Sequence, residues 1–246
     1  MSPDRIYLPA AGHHWALPFY DPLVRLLGLD AARNALLDQA AVGSSHRVLD
    51  IGCGTGSLAV LLKTRCPGAD VVGLDPDPKA LARARRKAGQ AGLVIHFDQG
   101  FSDEQPYPPG SFDRVFSSFM FHHLETETKV KTVSEVRRVL KPGGSFHMLD
   151  FGGPEDRTGG LFARLIHSRQ RLKDNAESRI LTLMSQGGLA GSKKVVDRAV
   201  FFGTLRFSYY RASAPAAVSD SGQALPKKIA GAEIHHLKTT LATRNE

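Results

Sequence analysis

The feature that most constrains this chain is a glycine-rich turn that follows a short apolar segment. Residues 48–56 read VLDIGCGTG, with glycine at every second position from Gly52 to Gly56. From Ser57 the sequence becomes amphipathic, so we predict a strand, a tight loop and the first turn of a helix. Because glycine has no Cβ and tolerates positive φ, such a loop lets the backbone approach a ligand closely. We therefore expect a small-molecule site at the end of this strand.

The spacing and charge of the turn favour a cationic nucleoside over a dinucleotide. A dinucleotide-binding turn has the pattern G-x-G-x-x-G and holds a pyrophosphate at a helix N-terminus. Here the pattern is G-x-G-x-G, and the carboxylate of Asp50 at its mouth would repel a pyrophosphate by roughly 1 kcal/mol or more. A second predicted strand ends at Asp75, an acid suited to accept ribose hydroxyls. S-adenosylmethionine (SAM) has the ribose and the positive charge and lacks a phosphate.

Four sequence blocks together resemble the class I SAM-dependent methyltransferases. They follow the order and spacing of that family, and FHHL at residues 121–124 resembles the small-molecule branch that includes the ubiquinone/menaquinone-biosynthesis type. The resemblance covers about residues 45–150 and implies an enzyme that transfers a methyl group to the oxygen, carbon or nitrogen of a small organic acceptor. The blocks are LDIGCGTG at 49–56, GLD at 73–75, GSFDRV at 110–115 and LKPGG at 140–144.

The resemblance also implies where the cofactor lies. The glycine turn and Asp50 would cradle the methionine end of SAM, and Asp75 would hold the ribose. Relatives often carry an aspartate that contacts adenine where this chain has Phe101. Either Phe101 packs on adenine while the Ser102 main chain and Asp103 supply polar contacts, or the loop differs by one residue and Asp103 takes that role. The predicted cofactor-binding residues are Asp50, Gly52, Cys53, Gly54, Gly56, Asp75, Pro76, Phe101, Ser102, Asp103 and Ser117.

Candidate catalytic and acceptor-binding residues follow the predicted fourth and fifth strands. His122 and His123 could serve as a general base if the acceptor must lose a proton. The alternative is that one histidine hydrogen-bonds the sheet edge and the other lies at the surface. Asp150 could bind the acceptor or merely cap the turn at residues 152–154. The remaining predicted acceptor-binding residues, which would form an aromatic lid or else pack helices onto the sheet, are Trp15, Phe19 and Tyr20.

Alternating strand and helix patterns predict the fold class. They indicate an α/β, doubly wound, mostly parallel sheet, with the ligand at the carboxyl ends of the strands. The resemblance implies seven strands in a Rossmann-like methyltransferase fold, with an N-terminal helical lid and an antiparallel C-terminal hairpin. We expect residues 1–45 to form the lid, residues 46–211 the SAM-binding domain and residues 212–246 a flexible tail.

Charge and cysteine content limit the other function classes. Residues 1–150 hold 17 Lys/Arg and 16 Asp/Glu, whereas residues 151–246 hold 15 and 8, so most of the net charge of +8 is C-terminal. This asymmetry motivates one alternative, an RNA or protein methyltransferase; a second is a SAM-binding regulator without catalysis. Two cysteines predict neither a disulfide framework nor a metal site, and we expect a cytoplasmic protein without a membrane span.

Overall fold

A seven-stranded mixed sheet forms the centre of the molecule. The computed structural model describes residues 29–151, 177–189, 191–200 and 205–215. The strand order across the sheet is β3-β2-β1-β4-β5-β7-β6. In chain order the elements are α1 (Leu29–Ala40), β1 (Arg47–Ile51), α2 (Ser57–Arg65), β2 (Asp70–Asp75), α3 (Pro78–Gln90), β3 (His96–Gln99), β4 (Phe112–Ser118), a 3-10 turn (Phe121–His123), α4 (Thr126–Val139), β5 (Leu140–Phe151), α5 (Glu177–Gln186), β6 (Lys193–Val200) and β7 (Leu205–Ser213).

The first five strands are parallel, and the last two form an antiparallel hairpin. β1 pairs in parallel with both β2 and β4, with Asp50 opposite Gly73 on one side and Phe116 on the other. β7 pairs antiparallel with β5 and with β6. Successive strands are added to one side of β1 up to β3 and to its other side from β4 onward, so the direction of strand addition reverses between β1 and β4. In open α/β sheets such a switch point forms a crevice at the strand ends. The predicted fold class is therefore confirmed, including its C-terminal hairpin.

Helices cover both faces of the sheet. Residues alternate between the two faces along each strand, and both faces carry apolar side chains that the helices bury. On one face, Val48 of β1 belongs to the cluster of buried side chains contributed by α1, α2 and α3. On the other, Leu49 packs with the buried residues of α4 and α5, including Val133 and Met184. The same alternation directs Asp50 toward the face that carries α1.

Local sequence explains where α3 begins and how closely it approaches α2. The Asp77 side chain accepts a hydrogen bond of 2.8 Å from the Lys79 amide, and proline occupies the first turn, both typical of a helix N-terminus. Gly56, with φ of 75°, precedes α2; a Cβ added there would lie 2.8 Å from that of Ala84. Glycine therefore permits both the left-handed conformation and the contact with α3.

Two sequence-based boundaries differ from the structure. The apolar run at residues 93–97 predicts the third strand, but β3 begins only at His96. The Leu93 amide bonds to the Ala88 carbonyl in the turn that ends α3, and Val94 is 76% exposed. At the other end of the domain, β7 runs through Ser213, two residues beyond residue 211, where the SAM-binding domain is predicted to end.

Some predictions fall on parts of the chain that the structure does not describe. Residues 1–28 of the predicted lid and residues 216–246 of the predicted tail lie outside the described residues. The described part of the predicted lid includes α1, which buries its apolar face against the sheet and α2. Within the described ranges, no helix has the length and apolar character needed to cross a membrane.

Candidate active site

The glycine turn wraps the carboxyl end of β1 and leaves room for close contacts. Gly52 has φ of 64°, and a Cβ added there would overlap Cγ of Met120 from the loop after β4. The Cys53 amide donates to the Leu74 carbonyl at the end of β2, and burial raises the pKa of its thiol. The turn is thus held against the ends of both β2 and β4.

Asp50 is a carboxylate buried without compensating hydrogen bonds. It is 1% exposed, and neither of its oxygens has a hydrogen-bond partner among the described residues. Burial raises its pKa from 3.8 to about 7; the positive charge of Arg33 opposes this shift, and the negative charge of Asp75 adds to it. The amide of Ala59, whose geometry falls short of a hydrogen bond, lowers the pKa a little. A buried, unsatisfied acid of this kind is suited to a cationic ligand.

Asp75 organises the turn from the neighbouring strand. Its two carboxylate oxygens accept hydrogen bonds from the Gly54 amide at 2.8 Å and the Asp77 amide at 2.9 Å. Burial raises its pKa to about 6, and these two amides oppose the rise. Each oxygen retains acceptor capacity, because a carboxylate has about four lone-pair positions. Pro76 follows directly, and its carbonyl accepts from the Gln99 side chain.

The loop after β3 is held by helix α4. The Ser102 hydroxyl lies 2.9 Å from that of Thr132 in a buried pair, so it is directed into the protein. Phe101 is half-buried and pairs through its backbone with Glu104. Arg138 donates to two carbonyls further along this loop. These contacts fix the path of the loop that carries the predicted adenine-site residues.

Two serines with unsatisfied hydroxyls end β4. Ser117 and Ser118 both have a buried Oγ with no hydrogen-bond partner in the described structure. Phe119 follows with φ of 55°, a left-handed conformation that is rare for a bulky residue. Its amide bonds to the Leu149 carbonyl at 2.8 Å. Such strain is concentrated at functional sites, and here it turns the chain across the end of the sheet.

His122 and Asp150 form a buried pair across the ends of β4 and β5. Nδ1 of His122 lies 2.6 Å from one carboxylate oxygen of Asp150, and the other oxygen accepts from the His122 amide at 3.0 Å. The Phe151 amide also donates to Asp150, at 2.7 Å. Both side chains are at most 2% exposed. Asp150 thereby fixes the orientation of the imidazole; His123 lies alongside, with ring centroids 4.0 Å apart.

An aromatic cluster adjoins this pair. The Phe119 ring centre lies 5.1 Å from that of Phe151 and 5.2 Å from that of Phe207, and Phe151 meets His122 edge-to-face at 5.0 Å. Phe151 is partly exposed, whereas Phe119 and Phe207 are buried. The sequence alone does not mark any of these three phenylalanines as a site residue.

The structure brings most of the predicted residues to one edge of the sheet. The glycine turn, Asp75, Ser117 and the His122–Asp150 pair lie at the ends of β1, β2, β4 and β5, and the loop with Phe101 follows β3. Trp15, Phe19 and Tyr20 lie outside the described residues. Sequence reasoning missed Arg33, Ser118 and the aromatic cluster. Within the described ranges, no group of three His, Cys, Asp or Glu residues could hold a metal ion.

The residues present fit SAM. The cradle around Gly52 admits no side chain at that position, and the unsatisfied oxygens of Asp50, Ser117 and Ser118 are acceptors for a cationic, polar ligand. Asp75 has the chemistry for a ribose.

Comparison with known proteins agrees with this geometry. Residues 48–144 match the model of a methyltransferase domain. The chain is 41% identical to the demethylmenaquinone methyltransferase of Thermus thermophilus over 155 residues, 62% of this chain and 70% of that protein. It is 40% identical to the enzyme of the same name from Deinococcus radiodurans, over 60% of this chain and 62% of that one. A ubiquinone/menaquinone biosynthesis C-methyltransferase from a Geobacter species is 32% identical over 61% of this chain and 64% of that one.

Solved structures show the same fold. The YcgJ protein of Bacillus subtilis has a TM-score of 0.62 at 20% identity, covering 76% of this chain and 99% of that one. Phosphoethanolamine N-methyltransferase 2 of Haemonchus contortus, solved with S-adenosyl-L-methionine, has a TM-score of 0.60 at 18% identity, covering 75% of this chain and 52% of that one.

The fold and the site thus define a SAM-dependent methyltransferase that acts on a small acceptor. The chain belongs to the class I methyltransferase family of the quinone-biosynthesis type. The two alternative functions, an RNA or protein methyltransferase and a non-catalytic SAM-binding protein, receive no support from these relatives.

Proposed function

We propose that this enzyme methylates the ring of a hydroquinone of the demethylmenaquinol type, with His122 as general base and Asp150 as its positioning residue. The observation that carries the proposal is the buried His122–Asp150 pair, which lies beside a cluster of phenylalanines at the edge of the sheet where SAM would bind. An apolar aromatic wall with one oriented base suits a phenolic ring. The relatives from Thermus, Deinococcus and Geobacter, by their names, support the same acceptor class.

We propose the following cofactor contacts. The turn from Gly52 through Cys53 and Gly54 to Gly56 cradles the methionine end beside Asp50, and Asp75 accepts the ribose hydroxyls. Phe101 packs on the adenine, while the Ser102 main chain and Asp103 supply the polar contacts. The Ser102 hydroxyl does not take part, because it is bonded to Thr132. Pro76 borders the ribose, and Ser117 lies near the transferred methyl group.

The tautomer of His122 follows from its partner. A carboxylate accepts hydrogen bonds, so Nδ1 carries the hydrogen and Nε2 carries the lone pair that can take a proton. Asp150 is itself held by the amides of His122 and Phe151, so the imidazole is fixed before the acceptor binds. General bases positioned in this way contribute about 10²–10⁴-fold to rate.

The proposed reaction proceeds from this geometry. Nε2 of His122 accepts the proton of a ring hydroxyl, which increases electron density at the adjacent ring carbon. SAM, when bound, supplies the methyl group and leaves as S-adenosylhomocysteine. The ring carbon forms the new carbon–carbon bond as the bond between the methyl group and sulfur breaks. The ring carbon then loses its own hydrogen as a proton to solvent, which restores the aromatic ring, and protonated His122 returns the first proton to the ring oxygen. Alignment of the reacting carbon against the aromatic cluster supplies a further part of the acceleration.

The first experiment tests the acceptor. The full chain is incubated with SAM and a reduced short-chain prenyl naphthohydroquinone, and the product is analysed by mass spectrometry with fragmentation. We expect one added methyl group on the ring carbon, and none when that carbon already carries a methyl group. Methylation of a ring oxygen, or turnover of neither compound, would contradict the proposed acceptor.

The second experiment tests the base. His122→Gln should reduce kcat by about 10²-fold or more, and the loss should shrink for hydroquinones whose hydroxyl groups are more acidic. For Asp150→Asn, the loss of kcat should also shrink as the acceptor hydroxyl becomes more acidic, because the variant disturbs the tautomer of the His122 imidazole. His123→Gln separates the two predicted histidines, and His96→Gln at the exposed start of β3 is the matched control. An equal loss for all acceptors would remove His122 from proton transfer.

Three expectations from the sequence accompany this function as proposals. Residues 1–45, with Trp15, Phe19 and Tyr20, form a lid over the acceptor, and the predicted tail follows the end of β7 at Ser213 instead of beginning at residue 212. The two cysteines are free thiols, which supports a reducing, cytoplasmic location. The acceptor is the expected partner; nucleic acid binding is the less favoured alternative, and its test is binding that weakens steeply with salt.

A further inference from the structure

Basic side chains from three strands lie together on the face of the sheet that α1 covers. Arg211 of β7 stands opposite His147 of β5 on one side and opposite Lys193 of β6 on the other. Residues directly opposite each other in antiparallel strands project to the same face, so Arg211, His147 and Lys193 share one side of the sheet. His147 stacks on Phe116, which belongs to the buried cluster that includes α1, so that side is the α1 face.

Arg114 of β4 completes this group, which we call the basic cluster (Arg114, Lys193 and Arg211). Arg114 pairs in register with Ser145, whose hydroxyl lies 2.9 Å from Nε2 of His147, so Arg114 projects to the same face. Burial lowers the pKa of His147, and the charges of Arg211 and Arg114 lower it further. Burial also lowers the pKa of Arg114, and the charge of Arg211 adds to that effect. The two guanidinium groups therefore lie near the same imidazole and near each other.

No acidic side chain of the described residues forms an ion pair with the basic cluster. Two guanidinium nitrogens of Arg114 donate to main-chain carbonyls, and the third has no partner in this part of the chain. The Asp113 carboxylate raises the pKa of Arg114, but it is bonded to the Lys141 amine at 2.8 Å. Lys193 and Arg211 are exposed, and neither side chain has a hydrogen bond or an ion pair within the described ranges.

This arrangement is unfavourable unless an anion binds to it. Like charges directly opposite each other in a sheet destabilise the pairing, as Lys193 and Arg211 do here. A phosphate group suits the cluster, because a guanidinium can donate two parallel hydrogen bonds to its oxygens and a lysine adds a compact positive charge. Clusters that bind anionic membranes hold about four to eight basic residues. Three cations, one of them half-buried below the end of α1, are better suited to a small ligand.

We propose that the basic cluster is a second binding site, which takes a phosphate group of a small soluble compound. The site is separate from the catalytic pair. Asp150 projects to the other face of the sheet, as Met148 does, and it stands three residues after His147, or about 10 Å further along β5. The proposal also accounts for part of the C-terminal excess of positive charge, which the methyltransferase function leaves unexplained. It does not depend on the acceptor or the cofactor proposed above.

The test is calorimetric titration of the full chain with sodium pyrophosphate, in a phosphate-free buffer in which sodium chloride keeps the ionic strength constant. We expect saturable binding that S-adenosylhomocysteine does not displace. Arg211→Gln should weaken the binding of pyrophosphate by about 10-fold or more, and Lys193→Gln by a smaller factor. Arg65→Gln, which removes an exposed arginine paired with Asp38, is the matched control and should bind pyrophosphate as wild type does.

Two further readouts separate a lost ligand contact from a damaged fold. Because the cations of the cluster repel one another, ligand-free Arg211→Gln should be at least as stable as wild type in urea, and its affinity for S-adenosylhomocysteine should be unchanged. The NMR signals of the His147 imidazole, which lies beside the cluster, should shift when pyrophosphate is added to wild type and should stay in place in Arg211→Gln.

Three outcomes would overturn the assignment. The first is no saturable binding of pyrophosphate at constant ionic strength, and the second is equal binding by wild type and Arg211→Gln. The third comes from vesicles: if phosphatidylglycerol vesicles bind wild type but not Arg211→Gln, phosphatidylcholine vesicles bind neither and pyrophosphate does not bind, the cluster contacts a membrane surface instead of a small ligand.

Discussion

Replacement of Asp50 by asparagine should stabilise the ligand-free protein at neutral and alkaline pH. Asp50 is buried without a hydrogen-bond partner in the described structure. Its pKa in the folded state is about 7, against 3.8 for an aspartate exposed to water, as in the unfolded chain. Ionisation of Asp50 therefore costs more free energy in the folded protein than in the unfolded chain. Asparagine has nearly the same shape as the protonated acid and carries no charge.

The magnitude follows from the difference in pKa. A separation of about 3 units corresponds to about 4 kcal/mol at pH 8, because each unit is worth about 1.4 kcal/mol. The buried asparagine amide is unsatisfied as well and costs about 1–3 kcal/mol, so we expect a net gain of about 1–3 kcal/mol. For a domain of this size that gain raises Tm by about 2–12 °C.

The sign of the pH dependence distinguishes this cause from others. A carboxyl group whose pKa is raised on folding contributes stability that is present below pH 4 and lost as the pH rises to about 7. The advantage of Asp50→Asn should therefore be absent near pH 4, grow between pH 4 and 7, and stay constant above pH 7.

The assay is urea unfolding of both proteins at half-unit intervals from pH 4.5 to 8.5. Asp70→Asn is the matched control, because Asp70 is half-exposed and pairs with Arg47 at the surface; its difference from wild type should stay within about 0.5 kcal/mol. A variant that is less stable than wild type at pH 8, or a difference that does not vary with pH, would refute the reasoning.

Three further predictions concern the site and its support. Gly56→Ala should reduce the free energy of unfolding, measured with urea, by about 1–3 kcal/mol more than Gly110→Ala. Both glycines have positive φ, but only at Gly56 would the added Cβ meet Ala84. Equal losses would contradict the packing argument. Asp75→Ala should weaken S-adenosylhomocysteine binding by about 1.5–3 kcal/mol in calorimetry, whereas Asp98→Ala should not, and unchanged affinity would remove Asp75 from the site. His147 is buried with its pKa lowered to about 3, so wild-type protein should lose about 1.4 kcal/mol relative to His147→Gln for each pH unit below 6.5; parallel pH profiles of unfolding would disprove this.

Much of the fold and part of the site could be predicted from the sequence, because the governing signals are local. The glycine turn requires close backbone approach, and the alternation of strands and helices determines the parallel sheet. The proximity of His122 and Asp150 also follows from topology, since both residues stand at the carboxyl ends of neighbouring strands. Their hydrogen bond does not follow, because it depends on the 3-10 turn that carries His122.

The sequence does contain a pattern that identifies Arg33 as a buried residue. The buried positions of α1 recur at intervals of three and four, and Arg33 falls among them. A charged residue on the apolar face of a helix must either be paired or face a ligand. By contrast, no local sequence pattern indicates the left-handed conformation of Phe119. That conformation depends on how the segment that follows β4 packs against the rest of the protein.

The stability that Asp50 removes from the ligand-free protein is a consequence of what the site must bind. An oxygen already satisfied by the protein would have little affinity left for an ammonium group, so the acid must remain buried and unpaired until the ligand arrives. Saturating S-adenosylhomocysteine should therefore stabilise wild-type protein more than Asp50→Asn and narrow or reverse the difference between them at pH 8. If the ligand instead preserves the full advantage of the variant, Asp50 does not contact the charged end of the cofactor, and its burial needs another explanation.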